Sequence, residues 1–98
     1  MRVLGRERLT AFCAKHADAR PWIEAWLAEV EKAVWTGPTD IKARYASASV
    51  LNGKTMIFNV KGNNYRLEVD VVWRTRLVIV VWVGTHAEYD RRNASRRG

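Results

Sequence analysis

The sequence predicts an α+β fold in which an N-terminal strand and a helical hairpin pack on one face of a small, mostly antiparallel β-sheet. Three patterns predict it. Apolar side chains recur at helical spacing in two adjacent runs between residues 6 and 34, apolar and charged residues alternate from Tyr65 to Trp73, and Leu77 to Val83 is almost continuously apolar. With 98 residues the chain is one domain's worth. Residues 1–98 are therefore expected to form a single domain, ending in a basic tail from about residue 91 whose composition suits disorder as well as contact.

In order along the chain, Arg2 to Leu4 suits a short first strand. Arg6 to Asp18 puts Leu9, Phe12, Cys13 and Ala17 on one helical face and Arg8 and Lys15 on the other. Pro21 suits the first turn of a second helix with the stripe Ile23, Trp26, Leu27, Val30, Ala33 and Val34, and Gly37-Pro38 is expected to end it. Thr39 is a candidate cap for a further short turn through Lys42. The period then changes. Thr55 to Val60 is rich in strand formers, Gly62-Asn63 suits a tight turn, and Tyr65, Leu67, Val69, Val71 and Trp73 alternate with Arg66, Glu68 and Asp70. Arg74-Thr75 turns the chain into Leu77 to Val83, which Gly84 is expected to end. Tight turns make these last three strands antiparallel. The apolar set of residues 65–73 is expected to face the helices, so that Arg66, Glu68 and Asp70 project together from an open sheet face. Trp26 and Trp73 read as core; Trp22, Trp35 and Trp82 are left open, any exposed one being a candidate protein-binding anchor.

Charge narrows the function. Seventeen Lys and Arg against ten Asp and Glu give +7 and a pI near 10.2. Residues 54–98 hold nine basic and four acidic side chains, a net of +5; residues 1–53 hold eight and six, a net of +2. Such a balance attracts a polyanionic partner, nucleic acid foremost, the plainer reading being that it only keeps a small domain soluble. A single cysteine, Cys13, leaves no internal disulfide. The opening Met1-Arg2-Val3-Leu4 does not read as a secretory signal, and the longest apolar run is too short to span a bilayer, so a cytoplasmic protein without membrane contact is expected.

The stretch Phe58-Asn59-Val60-Lys61-Gly62-Asn63-Asn64-Tyr65-Arg66-Leu67, followed by Gly84-Thr85-His86-Ala87-Glu88-Tyr89-Asp90, resembles the HigB toxins of type II toxin–antitoxin systems. Asp40-Ile41-Lys42-Ala43-Arg44-Tyr45 and Ser47-Ala48-Ser49 match the same family's middle segment. The likeness runs from the initial strand to about Arg91. It implies a RelE-like fold, mRNA cleavage on the translating ribosome with contact to 16S rRNA, and inhibition by a HigA-type antitoxin through which operator DNA is reached indirectly. The competing reading is a non-catalytic nucleic-acid-binding or gyrase-targeting member of the same fold, as the related ParE proteins are.

The chemistry such a protein must perform follows from RNA. The ribose 2′-hydroxyl attacks the adjacent phosphate, so the site needs a base, an acid for the departing 5′-oxygen and positive charge on the phosphorane. No metal and no cofactor are expected, since His16, His86 and Cys13 are the only soft ligands and no two have zinc spacing. His86 is the candidate proton carrier, because imidazole gives or takes a proton near neutral pH; its plainer reading is a surface or capping histidine. Tyr89 lies three residues on, within reach of His86 if the segment is helical, to stack on a base or assist proton transfer, or simply to pack on the sheet. Arg66 is the candidate for transition-state charge, its guanidinium being a fixed, permanently charged fork; the plainer reading is an ion pair with Glu68 or Asp70. Lys54 and Lys61 flank one strand and are candidates to hold the phosphate backbone, with Arg91 and Arg92, and beyond them Arg96 and Arg97, adding RNA contacts from the tail. Asn59 and Asn63 read as turn residues, and Asp90 as a group that orients a neighbour or caps the tail.

Overall fold

The computed structural model describes residues 1–97, with side chains described through residue 95. The elements are β1 (Arg2–Leu4), α1 (Arg6–Lys15), a 3-10 turn (Ala17–Ala19), α2 (Arg20–Lys32), α3 (Pro38–Arg44), β2 (Ser49–Leu51), β3 (Thr55–Val60), β4 (Tyr65–Val72), β5 (Leu77–Thr85) and α4 (His86–Arg97). One five-stranded sheet has the order β1-β5-β4-β3-β2. β2 to β5 are antiparallel neighbours, and β1 joins the edge of β5 in parallel. The α+β expectation holds.

Local chemistry explains the connections. Lys61 and Gly62 both adopt positive φ, +51° and +66°, which closes the β3–β4 turn where the Gly-Asn pair predicts it. Between β1 and α1, Gly5 has a φ of +86°, and a Cβ there would stand 2.8 Å from the Val80 carbonyl oxygen. Only glycine lets the chain turn that tightly against β5.

The core lies between the helices and one face of the sheet. Leu9, Phe12, Ile23, Trp26, Val30 and Ile41 from the helices meet Val3, Met56, Phe58, Leu67, Val69, Val78 and Val80 from the strands. The alternation from residue 65 to 71 thus has the predicted sense, with its odd-numbered members inward.

The opposite face departs from expectation. It is covered at one end, because α4 packs back on β4 and β5. Arg66 and Glu68 project from that face, yet they are only 9% and 4% exposed. The face is open toward its other end, where Val72 remains exposed. Other boundaries move as well. α2 ends at Lys32 and leaves Val34 exposed, while Gly37 caps α3 instead of ending α2. The Met1 amino group donates to the carbonyls of Val30, Glu31 and Ala33, at 2.9, 3.3 and 2.9 Å, satisfying the end of α2 without a glycine cap. β5 continues through Gly84 to Thr85 because both residues pair with β4. β2 is an edge strand of three residues that the sequence pattern did not announce. The stretch from residue 91 onward is helical as far as Arg97; the side chains of Arg96 and Arg97 lie outside the described residues. No helix among the described residues is long and apolar enough to cross a membrane.

Candidate functional site

At one end of the sheet the β3–β4 turn meets the junction of β5 with α4. The register brings Tyr65 opposite Thr85 and Arg66 opposite Gly84. Two consecutive turn residues then hold Arg66 and His86. Arg66 donates through Nη1 to the Asn63 and Tyr65 carbonyl oxygens, at 3.3 and 3.1 Å, and through Nη2 to Asn63 Oδ1 at 2.7 Å. Asn64 uses its carbonyl to accept the backbone N–H of His86 at 3.0 Å. The positive φ of Lys61 and Gly62 aims that turn, so backbone conformation sets the placement of both side chains.

α4 begins with a capping box. Thr85 N–H donates to Glu88 Oε1 at 2.8 Å, and Glu88 N–H donates to Thr85 Oγ1 at 3.1 Å. Hydrogen bonding from the Thr85 backbone, and then from the Thr85 side chain, holds the Glu88 carboxyl below its ordinary range. The box fixes the position of His86, whose Nε2 lies 3.4 Å from Asp90 Oδ2 one turn on. The His86 side chain is 42% exposed and so open to a ligand. Tyr89 is half-buried, its ring 6.1 Å from that of Trp82. Arg92 reaches inward beside it, stacking 5.4 Å over the Trp82 ring and placing Nε 3.4 Å from Glu68 Oε1.

The remaining candidates separate. Lys61 stands at the same end but is tied to Asp18 at 3.0 Å. Lys54 is exposed at the far end of β3, about 20 Å away by strand length, and its carbonyl anchors Val71. The two lysines flank β3 from its opposite ends. Arg91 is exposed on α4. Arg92, engaged with Trp82 and Glu68, is a docking residue of the helix more than a loose tail contact. Arg66 also departs from the projecting fork expected of it, since its guanidinium is held behind the turn.

A second polar cluster lies on the helical side of the same end. Asp18 accepts from the Tyr65 hydroxyl at 2.6 Å and from Lys61. Those two bonds, Tyr65's the stronger influence, hold the Asp18 carboxyl low, and the same contact pushes the Tyr65 hydroxyl up. The rings of Phe12, His16 and Tyr65 stack against one another at centroid distances of 4.6 to 5.2 Å. Among the described residues, no three His, Cys, Asp or Glu side chains are grouped to hold a metal ion.

Sequence reasoning missed Asn63 as the holder of Arg66, and gave Asp90 little weight. It also missed the start of α4, although Thr85-His86-Ala87-Glu88 is a capping-box sequence that could have found it. A family model described as HigB_toxin, the RelE-like toxic component of a toxin–antitoxin system, matches residues 19–92, roughly three quarters of the chain. The matched span contains every strand except β1 and omits α1. No curated protein matches the chain.

Proposed function

The chain belongs to the HigB toxin family, the RelE-like toxic component of a toxin–antitoxin system, and from that premise we propose that it is a metal-independent, ribosome-dependent mRNA endoribonuclease that stops translation in the cytoplasm. The observation that carries this reading is the junction of the β3–β4 turn with α4, where a fixed buried guanidinium and an exposed histidine are anchored on adjacent residues.

In the proposed step, a base removes the proton of the ribose 2′-hydroxyl, whose oxygen attacks the adjacent phosphorus. The P–O5′ bond breaks, an acid returns a proton to the departing 5′-oxygen, and the upstream fragment ends in a 2′,3′-cyclic phosphate. His86 is the proton carrier, since it combines exposure with the Asp90 contact that orients its ring. Tyr89 supplies a surface against which a base stacks or a proton is shared. Arg66 contributes positive charge from behind the turn, as a preorganised field more than as a direct clamp. Arg91 is the freest phosphate contact of the four cations first considered; Lys61 contributes charge already shared with Asp18, and Lys54 would meet RNA only along a longer path. A HigA-type antitoxin is the protein partner, and the ribosome with its 16S rRNA presents the message. Operator DNA is reached only through the antitoxin.

The test adds purified protein to a translating extract and maps new mRNA 5′ ends. Ends that fall within codons, lost with His86→Ala, support the reading. Intact messages in the extract, together with inhibition of purified gyrase by the protein, would replace it with the ParE-like alternative.

A further inference from the structure

A groove lies not at His86 but around the free edge of β5. β1 pairs only with Leu77 to Ile79, so β5 beyond Val80 has no strand neighbour on that side. α1 and the first turn of α4 stand on either side of it and enclose a groove of about 340 Å³. That volume lies at the lower end of the ligand-pocket range, roughly 300–1,000 Å³.

Its lining combines three chemistries. Phe12 and Trp82 give flat apolar surface, Arg8 and Lys15 give cations, and Glu88 gives a fixed carboxylate, with His16 between them. Arg8 and Lys15 are exposed, and neither forms an ion pair among the described residues. The Trp82 ring is placed by its own strand. It lies over Gly84, where a Cβ would stand 2.6 Å from the indole, so any other residue at that position would push the ring away. Arg92 on the ring then fixes its orientation.

Resting on the nuclease reading, we propose that this groove is a subsite for one nucleotide of single-stranded RNA beside the cleavage site. The base packs against Trp82, and the adjoining phosphates meet Arg8 and Lys15. Glu88 accepts from an amino or imino edge, a hydrogen bond that selects among bases. The capping box links this groove to the site, because Glu88 that faces the groove also positions the helix start bearing His86. Aromatic surface beside two cations suits a base with its phosphates, whereas an acidic peptide would use the cations and leave the rings uncovered.

The experiment uses the full chain and a short single-stranded RNA containing 4-thiouridine, cross-linked by near-ultraviolet light and mapped by peptide mass spectrometry. Labelling on the Phe12–His16 or Trp82 peptides is expected. In Arg8→Glu/Lys15→Glu it should fall, with the salt slope of RNA binding reduced by about two for the two lost contacts. Circular dichroism melting of the double variant confirms its fold; should it fail to fold, Arg8→Gln/Lys15→Gln is read in the same way. Labelling confined to other peptides, or unchanged by the charge variants, overturns the proposal. So does a photoreactive poly-glutamate peptide that labels the groove while RNA does not. Groove labelling by a protein that cuts no message would refute the nuclease reading and leave the subsite standing.

Discussion

At the residue scale, His86 and Asp90 make the sharpest demand. His86→Ala should fold as the parent does and cut about 100- to 10,000-fold more slowly, the usual loss on removing a general acid or base. One limb of its pH–rate profile should flatten, because the group that exchanges the proton is gone. Arg66→Ala should lower the whole profile without changing its shape. A His86→Ala protein that cuts at the parental rate would pass the role to Tyr89. Asp18, Glu29, Asp40 and Glu88 are all held low, and the first two serve as probes of acid stability. Asp18 is held low by Tyr65 and then Lys61. For Glu29, burial pushes upward, but hydrogen bonds from Tyr45 and Arg44 outweigh it and leave the group low. A carboxyl lowered in the folded state adds stability that is present above its unfolded value, about pH 4, and is lost as pH falls through its folded value. Denaturant midpoints should therefore decline below about pH 4. Asp18→Asn and Glu29→Gln should each be less stable than the parent at pH 7, and that gap should close in acid. A gap that stays constant with pH would show that neither carboxylate contributes through its charge.

At the element scale, the positions that matter are those where backbone or charge pins one element to another. Gly5→Ala forces a side chain into left-handed backbone and against the Val80 carbonyl. It should cost about 1–3 kcal/mol, read as a shift in denaturant midpoint, with the β1–β5 pairing loosened in amide exchange. Unchanged stability would mean that the β1–α1 link relaxes elsewhere. The same scale shows what was legible in the sequence. Strands β3 to β5 were, since alternation and apolar runs report burial directly. The face opposite the helices was not. Alternation says that Arg66 and Glu68 lie on the second face, but not that a later helix covers it. α4 itself was hidden because His86 to Arg92 carries no apolar stripe; it docks through Tyr89 on Trp82 and Arg92 on Glu68, contacts that no hydrophobic period marks. β2 was too short and too exposed to leave a pattern. Of the site, residue types were readable, but the turn geometry joining Asn63 to Arg66 and Asn64 to His86 depends on strand register.

At the scale of the whole molecule, a net charge of +7 predicts that the proposed association with RNA or ribosome is salt-dependent. Removing one phosphate contact should lower the salt slope by about one. Arg91→Ser should do so. Arg92→Ser should change the slope less and instead destabilise the docking of α4, because its guanidinium is committed to Trp82 and Glu68. Equal slope changes in both variants would mean that α4 leaves the sheet when RNA binds. In the proposed reaction the message is cut through the ribose 2′-hydroxyl, with no metal-activated water. The chemistry of the cut ends tests it most directly. Fragments from a translating extract should carry 5′-hydroxyls and 2′,3′-cyclic phosphates, or the 3′-phosphates these hydrolyse to; 5′-phosphates with 3′-hydroxyls would contradict it.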